Sequence, residues 1–293
     1  MKKIKNHIAI VLALGILLGA IAGGVFSCKS VAASDPKDYG VFVGVETRNL
    51  STEEKTKYIE TIGQYKEVVI DASTWSKKDL KKLRKYKTKK IYSYIDIGSL
   101  ENYRSYWKQF KDHKLDRYEN WPDEWWMDVS YNKWQTYMVD TYAVKLSKKG
   151  IDGFFVDNCD VYYHYKTTKI YNGLTKILKG LRKLEKVVII NGGDPYVSKV
   201  IKNKDKKYFT AVNQECVYTM IKDYENDGFK KQTKEETDYF VKYLKKCQKN
   251  KINVYILDYT KSRKLKNTSY TNAKKNGWKA YVSPYVDLKP VIK

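Results

Sequence analysis

Cysteine and histidine are scarce in this chain of 293 residues. It has four cysteines and three histidines, and their spacing matches neither a disulfide framework nor a zinc site. They are Cys28, Cys159, Cys216 and Cys247, with His7, His113 and His164. We therefore expect no structural metal, and no group of residues suggests a cofactor.

Proline is also rare, with five residues, and no stretch rich in glycine, serine or proline interrupts residues 35–293. No internal repeat of short period is present either. These absences argue against small domains joined by flexible linkers. About 260 residues remain after the N-terminal 33, so residues 35–293 are expected to form one large domain.

The first 33 residues have the features of a signal peptide. A basic start, Met1-Lys-Lys-Ile-Lys, precedes an uncharged run over residues 8–26, and Val31-Ala-Ala fits a small-x-small cleavage site. The uncharged run is long enough to span a bilayer, so an uncleaved membrane anchor is the alternative. Either way, the remaining chain is expected to be secreted or held at the cell surface, with membrane contact only through this segment.

Positive charge dominates the composition. The formal net charge is +24, and four lysines without any acid lie in residues 1–33, so the rest carries +20. The lysines are spread along the chain without an RNA-binding motif, and we expect no nucleic-acid partner. Two interpretations remain: a solvated lysine-rich surface, or attachment to an anionic cell-wall or matrix polymer.

Apolar runs of strand length alternate with segments of helical periodicity. The eight predicted strands are Tyr39–Val45, Glu67–Ala72, Lys90–Ile97, Ile151–Asp157, Lys186–Asn191, Phe209–Glu215, Ile252–Tyr259 and Trp278–Pro284. The predicted helices are Ser51–Gln64, Lys77–Tyr86, Trp134–Lys149, Lys169–Leu184, Pro195–Lys202, Lys234–Lys249 and Thr268–Asn276. This alternation predicts a parallel sheet closed into a (β/α)8 TIM barrel. A doubly wound open sheet is the alternative, although no Gly-x-Gly-x-x-Gly follows the first strand.

Six of the predicted strands end on, or next to, an acidic or amide residue. These residues are Asp71, Asp96, Asp157, Asn191, Glu215 and Asp258. Polar residues mark strand ends in any fold, but all strands of a barrel open onto one face, where the active site is built. Five carboxylates on one rim of a basic chain therefore predict an acidic cleft with a function.

Two carboxylates facing each other support the hydrolysis of a glycosidic bond. One must be protonated as the general acid, and the other ionised as nucleophile or base. The predicted fourth and sixth strands are next-but-one neighbours, so Asp157 and Glu215 can meet across the cleft. Asn158 and Asp160 are expected to orient Asp157 or to line the same rim.

Aromatic side chains are abundant, with 27 tyrosines and seven tryptophans. Sugar-binding sites use aromatic faces, although most aromatic residues pack in cores. We select Tyr94 and Tyr259, which neighbour rim acids, and Trp126 in the cluster at 121–126 as candidate substrate contacts.

Five motifs in this order resemble glycoside hydrolase family 114, the endo-α-1,4-polygalactosaminidases, along nearly all of residues 35–293. They are IYSYIDIGSLENYR at 91–104, WPDEWWMDVS at 121–130, GIDGFFVDNCDVY at 150–162, AVNQEC at 211–216 and YILDYT at 255–260. The resemblance implies a TIM barrel that cleaves within α-1,4-linked galactosamine polymers, often partly N-acetylated, of microbial biofilm matrices.

By position, the resemblance implies Asp157 as the nucleophile and Glu215 as the general acid/base. It also implies that Asp71, Asp96, Glu101, Asn213 and Asp258 shape the cleft, whose negative charge suits a cationic amino sugar.

Two questions stay open at this point. Many relatives carry the acid of the sixth strand one position earlier, where this chain has Gln214, and consecutive strand residues face opposite sides. In addition, a surface-held barrel that binds glycan or wall polymer without cleaving it would keep the aromatic residues. Such a binding module is the alternative to the enzyme.

Overall fold

Eight parallel strands form the centre of the molecule. The computed structural model describes residues 36–119, 121–184 and 187–292, so the predicted leader at 1–33, including Cys28, lies outside the described residues. The strands are β1 (Tyr39–Val41), β2 (Glu67–Ile70), β3 (Lys90–Asp96), β4 (Gly153–Asp157), β5 (Val187–Asn191), β6 (Ala211–Glu215), β7 (Asn253–Tyr259) and β8 (Lys279–Ser283).

The strands pair in chain order from β1 to β8, and each pairing is parallel. β8 returns to lie beside β1, which brings the sheet round into a barrel. The predicted (β/α)8 fold is thus confirmed. All eight predicted strands are present with shorter ends; β1, for example, stops at Val41, although the N–H of Phe42 still bonds the Val69 carbonyl at 2.8 Å.

Helices surround the barrel at all seven predicted places, and two short ones, Trp107–Phe110 and Val161–His164, were not predicted. The helices are Thr52–Ile62, Lys77–Leu83, Trp107–Phe110, Asn132–Thr136, Val144–Ser147, Val161–His164, Thr168–Lys183, Asp194–Lys202, Lys234–Lys249 and Arg263–Asn276. A π-helical segment, Tyr137–Ala143, and 3-10 turns at Thr47–Asn49 and Lys111–His113 complete the set. No helix in the described ranges has both the length and the apolarity to cross a membrane.

Local sequence explains where the helices start and which side they bury. Ser51 and Glu54 form a reciprocal capping box at the first helix, which satisfies two otherwise free backbone N–H groups. Thr168–Lys183 turns one stripe of side chains inward, including Leu174, Ile177 and Leu181. Each such buried aliphatic side chain contributes about 1.5–3 kcal/mol.

The prediction for the last helix was five residues too short. It starts at Arg263, where Ser262 accepts a bond from the N–H of Leu265, rather than at Thr268. The first turn is mostly polar and basic, so it shows no apolar periodicity.

Two antiparallel insertions follow β3 and β6, in segments for which no strand or helix was predicted. Ser99–Glu101, Lys114–Arg117 and Glu124–Met127 form a small sheet after β3. Thr219–Asp223 and Gly228–Lys231 form a hairpin after β6. Both leave the C-terminal ends of the barrel strands, where they form walls of the cleft.

Candidate active site

The carboxyl groups of Asp157 and Glu215 are joined by one amide. Asp157 closes β4, Glu215 closes β6, and Asn191 closes the strand between them. The Nδ2 of Asn191 donates to Asp157 Oδ1 at 2.9 Å and to Glu215 Oε1 at 2.7 Å. Two bonds to one nitrogen keep these oxygens at most about 5.6 Å apart, below the roughly 6.5–9.5 Å between the carboxyls of inverting glycosidases.

A chain of hydrogen bonds holds that amide in place. Asn213 Nδ2 donates to Asn191 Oδ1 at 2.7 Å, and the Tyr39 hydroxyl donates to Asn213 Oδ1 at 3.2 Å. On the far side, the Tyr259 hydroxyl donates to Glu215 Oε2 at 2.6 Å. Since Asn213 and Tyr39 are fully buried, the orientation of Asn191 is fixed from beneath the cleft.

The carboxyl of Glu215 belongs to the hydrogen-bonded pair, although the neighbouring Gln214 also lines the cavity. The two oxygens of Glu215 bond Asn191 and Tyr259, whereas the Gln214 amide bonds the backbone carbonyl of Glu215 at 3.1 Å. Alternation along β6 places Asn213 and Glu215 on the inner side together. The geometry of β6 therefore accommodates the acid at position 215.

Enclosure in the cleft raises the pKa of both carboxyls. Burial raises the pKa of Asp157 well above its usual range, and the negative charges of Asp96 and Glu215 raise it further. Burial also raises the pKa of Glu215, while the bonds from Tyr259 and Asn191 partly oppose this. Two carboxyls this close and this enclosed favour a state in which the pair keeps one proton.

A second group of acids in the cleft is neutralised by an arginine. Arg104 Nη1 lies 2.7 Å from Asp71 Oδ2, and its Nε and Nη2 donate to the Glu101 carboxylate. The Tyr103 hydroxyl also donates to Glu101. The ring of Tyr94 lies 5.6 Å from the guanidinium carbon. Asp71 and Glu101 are thus partners of a buried cation rather than free acids.

A third group lies beside Asp157. Asn158 gives its backbone N–H to Asp157 Oδ1 at 3.0 Å, and its side-chain nitrogen contacts Asp96 and Glu124 at 3.0 and 2.8 Å. Ser99 Oγ contacts both of these carboxyls. Asn158 adopts a φ of 61°, in the left-handed region where asparagine is one of the few tolerated side chains.

Asp160 forms the floor next to these groups. Its carboxylate accepts the Gly193 N–H at 3.1 and 3.0 Å. Burial nevertheless raises its pKa to about 6. The site leaves no room beside it, because a Cβ on Gly192 would lie 2.6 Å from Asp160 Oδ2.

A cavity of ≈ 660 Å³ opens at this end of the barrel. Nine of the thirteen residues selected from the sequence line it: Asp71, Tyr94, Glu101, Asp157, Asn158, Asp160, Asn191, Glu215 and Tyr259. The structure therefore brings most of the selected side chains to one wall or floor, including the two carboxyls of the predicted pair.

Four selected residues do not line the cavity, which corrects their predicted place. Asp96 is 2% exposed beneath Asn158, and Asn213 is buried beneath Asn191. Asp258 precedes the inward-facing Tyr259 and so points outward, where it accepts the N–H groups of Tyr218 and Thr219. These three side chains support the site from behind.

Trp126 is the fourth of these residues. It is 2% exposed and packs between the rings of Tyr118 and His164, each with a centroid 4.4 Å away. Trp121, from the same cluster, is 43% exposed and lines the cavity, where it meets Tyr224 of the hairpin edge-on at 5.9 Å.

Sequence reasoning missed several lining residues. Arg104, Glu124 and Tyr224 line the cavity without having been selected. Arg104 stands in a motif quoted above, three residues after Glu101, and that spacing is a signal for an ion pair. Glu124 and Tyr224 come from the two insertions, whose strands carry no recognisable periodicity.

Among the residues that the structure describes, no group of three or more His, Cys, Asp or Glu side chains is arranged to hold a metal ion. Cys159, Cys216 and Cys247 are free thiols.

Comparison with solved structures finds the same fold in several glycoside hydrolases. The glycoside hydrolase domain of PelA from Pseudomonas aeruginosa is 16% identical, with a TM-score of 0.70 over 88% of this chain and 98% of that one. Aspergillus fumigatus Ega3, solved in complex with galactosamine, is 16% identical, with a TM-score of 0.64 over 92% of this chain and 99% of that one.

An α-galactosidase, TtGalA of Thermus thermophilus, is more distant. It is 10% identical, with a TM-score of 0.53 over 85% of this chain and 58% of that one. At such identities these likenesses show the fold. A search of curated protein sequences finds no match to this chain.

The model of glycoside hydrolase family GH114 matches residues 49–289, which includes every residue of the cleft described above except those before β2. The match spans most of the chain and includes Asp157 on β4 and Glu215 on β6. The protein is a glycoside hydrolase, and the chain belongs to family GH114.

Proposed function

We propose that this protein is an extracellular enzyme that cleaves within α-1,4-linked galactosamine-containing polysaccharides, with retention of configuration. Asp157 is the nucleophile and Glu215 the general acid/base. The observation that carries the proposal is the single Asn191 nitrogen that holds both carboxyls, because it sets their close spacing.

The reaction proceeds in two displacements. Asp157 attacks the anomeric carbon, while Glu215 gives its proton to the leaving glycosidic oxygen. Glu215 then takes a proton from water, which attacks the same carbon and releases Asp157. The raised pKa of Glu215 supports the acid role in the first step.

Asn191 keeps the two carboxyls oriented throughout this sequence. Since its side chain is itself held by Asn213, it presents a fixed donor rather than a rotating one. Tyr259 provides a second donor to Glu215, which stabilises that carboxylate after it has released its proton.

The charge of the cleft supports an amino sugar as substrate. Asp71 and Glu101 outnumber Arg104 by one negative charge, and the lining acids Glu46, Asp123 and Asp287 add to it. An ammonium group bound there would favour the ionised form of Asp157, as the nucleophile role requires. Ega3, which shares the fold, was solved with galactosamine.

The basic exterior contrasts with this cleft. The net charge of +20 outside residues 1–33 suits attachment to an anionic cell-wall or matrix polymer. Together with the N-terminal segment, this charge supports a secreted or surface-held enzyme that acts on biofilm or cell-surface matrix.

The test is digestion of partly deacetylated galactosaminogalactan by the purified protein, with reducing ends and product masses followed beside the variant Glu215→Gln. Short galactosamine oligomers from the wild type alone would support the proposal, and NMR of the first product would give the anomeric outcome. Binding of the polymer without any cleavage would instead favour a non-catalytic glycan-binding barrel.

A further inference from the structure

Glu124 is a buried acid of the cleft that the proposed reaction does not use. It lies on the insertion after β3 and is 9% exposed, and Oε1 contacts both Ser99 Oγ and Asn158 Nδ2. Asp96, at the end of β3, contacts the same two atoms from the other side. Two carboxyls thus meet through one hydroxyl and one amide.

We infer that Glu124 is a neutral carboxylic acid that shares one proton with Asp96 through Ser99, and that it is a positioning residue for Asp157. The role in positioning rests on the proposed function of Asp157; the protonation does not.

Ser99 has a single hydroxyl hydrogen between the two carboxyls. The hydroxyl donates that hydrogen to one carboxyl, so its contact with the other is a hydrogen bond only if that carboxyl carries a proton. Asp96 also accepts the N–H groups of Gly98 and Ser99 at 3.1 and 2.9 Å, whereas no backbone N–H of the described residues donates to the Glu124 carboxyl. The extra proton therefore belongs to Glu124.

The surroundings of Glu124 are consistent with this. The ionisable groups that face it are Asp96, Asp157, Glu101 with its partner Arg104, and the phenols of Tyr94, Tyr103 and Tyr118. Burial, followed by the charge of Asp96, raises the pKa of Glu124 to about 10.

Asn158 connects this proton to catalysis. Its side chain is held between Asp96 and Glu124, and its backbone N–H bonds the carboxyl of Asp157. If Glu124 were ionised, its negative charge would repel that of Asp96 across Ser99. Asp157 would then experience the charges of both carboxylates. The neutral form lets the insertion hold Asn158 in its strained conformation without that repulsion.

The first test measures protonation without using activity. The variant Glu124→Gln keeps the shape and the neutrality, so it lacks the proton that wild type takes up on folding. The pKa of Glu124 is raised in the folded state, so its contribution to stability is present at low pH and lost as pH rises. We expect the Tm of Glu124→Gln to rise relative to wild type between pH 5 and pH 9.

A matched control is Asp112→Asn, which removes an exposed carboxylate from the same insertion. Any change with pH that this variant also shows is subtracted. Difference infrared spectra at pH 8 should show that Glu124→Gln loses a carboxylic-acid carbonyl band. A constant Tm difference, or no lost band, would overturn the protonation.

The second test separates positioning from chemistry. We expect Glu124→Gln to keep kcat within about threefold of wild type, whereas Glu124→Ala lowers kcat more than it changes KM. If Glu124→Gln loses as much activity as Glu215→Gln, then Glu124 works in its ionised form or as a proton donor, and the inference is wrong. The thermal and infrared results still hold if the polymer proves not to be the substrate.

Discussion

The two sides of the cleft use the same residue types in opposite ways. On the side of β4 to β6, Asp157 and Glu215 are bridged by the neutral amide of Asn191. On the side of β2 and β3, Asp71 and Glu101 flank Arg104. Both pairs of acids are enclosed, and the difference between them is the charge of the group in the middle.

That difference separates reactive acids from structural ones. A guanidinium supplies a full positive charge and several donors, so Arg104 opposes the rise in pKa that burial causes at Glu101. An amide supplies donors without charge, so a buried pair around it retains a proton that can be transferred. The identity of one bridging side chain therefore decides which acids of a rim can do acid–base chemistry.

The largest expected effect is a loss of kcat, on the side of the cleft where Asn191 bridges Asp157 and Glu215. Asp157→Asn and Glu215→Gln should each lower kcat by about 1000-fold, because each removes the nucleophile or the transferable proton. The folded state should keep its stability at pH 7, since both substitutions remove a carboxyl whose pKa is raised on folding. Kinetics on the polymer and urea unfolding measure the two quantities.

Asp71→Asn is the control from the other side of the cleft. It removes an acid from the same rim but leaves Asp157, Asn191 and Glu215 intact. A loss of kcat as large as that of Glu215→Gln would show that the acids on the two sides of the cleft do not differ in role.

Substitution of Arg104 should lower the stability of the protein more than its kcat. Arg104→Met leaves Asp71 and Glu101 without their cation, and we expect the free energy of unfolding at pH 7 to fall by about 3–5 kcal/mol. Urea denaturation measures this. The triple variant Arg104→Met, Asp71→Asn, Glu101→Gln should recover most of the loss, and an additive further loss would contradict the ion-pair explanation.

The barrel and its reactive pair were predictable because both follow from periodicity and strand ends. Alternation of apolar runs and amphipathic segments gave all eight strands, and the shared opening of parallel strands brought Asp157, Asn191 and Glu215 together. The predicted position of Asp258 in the cleft was wrong. Asp258 lies one residue before Tyr259, and consecutive strand residues point to opposite sides of the sheet.

The walls of the cleft were not predictable in the same way. They are built by short insertions with irregular pairing, one of which contains a register shift between Ile221 and Asp223. No local sequence pattern predicts that Glu124 lies beside Asp96. Nor does one predict that Trp121 is exposed in the cleft while Trp126 is buried. Both depend on long-range packing between an insertion and the strand ends.

Asp160 tests the effect of enclosure on an acid that has backbone donors but no bridging cation among the described residues. Its pKa of about 6 lies above that of an unfolded aspartate, so its stabilising contribution is complete below about pH 4 and is lost as pH rises through 6. We expect Asp160→Asn to gain up to about 3 kcal/mol relative to wild type between pH 4 and pH 8.

Urea unfolding of both proteins across this range measures the gain. A difference that stays constant, or that falls as pH rises, would show that the Gly193 N–H bonds outweigh burial at this carboxyl.

The smallest expected effect distinguishes two neighbouring tryptophans. Trp121 is exposed in the cleft wall, so Trp121→Ala should leave folding unchanged and raise KM for the polymer about fivefold, equivalent to about 1 kcal/mol of lost contact. Trp126 is buried between two rings, so Trp126→Ala should instead cost about 3–5 kcal/mol of stability. A raised KM in a folded Trp126→Phe variant, with the KM of Trp121→Ala unchanged, would show that Trp126 and not Trp121 contacts the substrate.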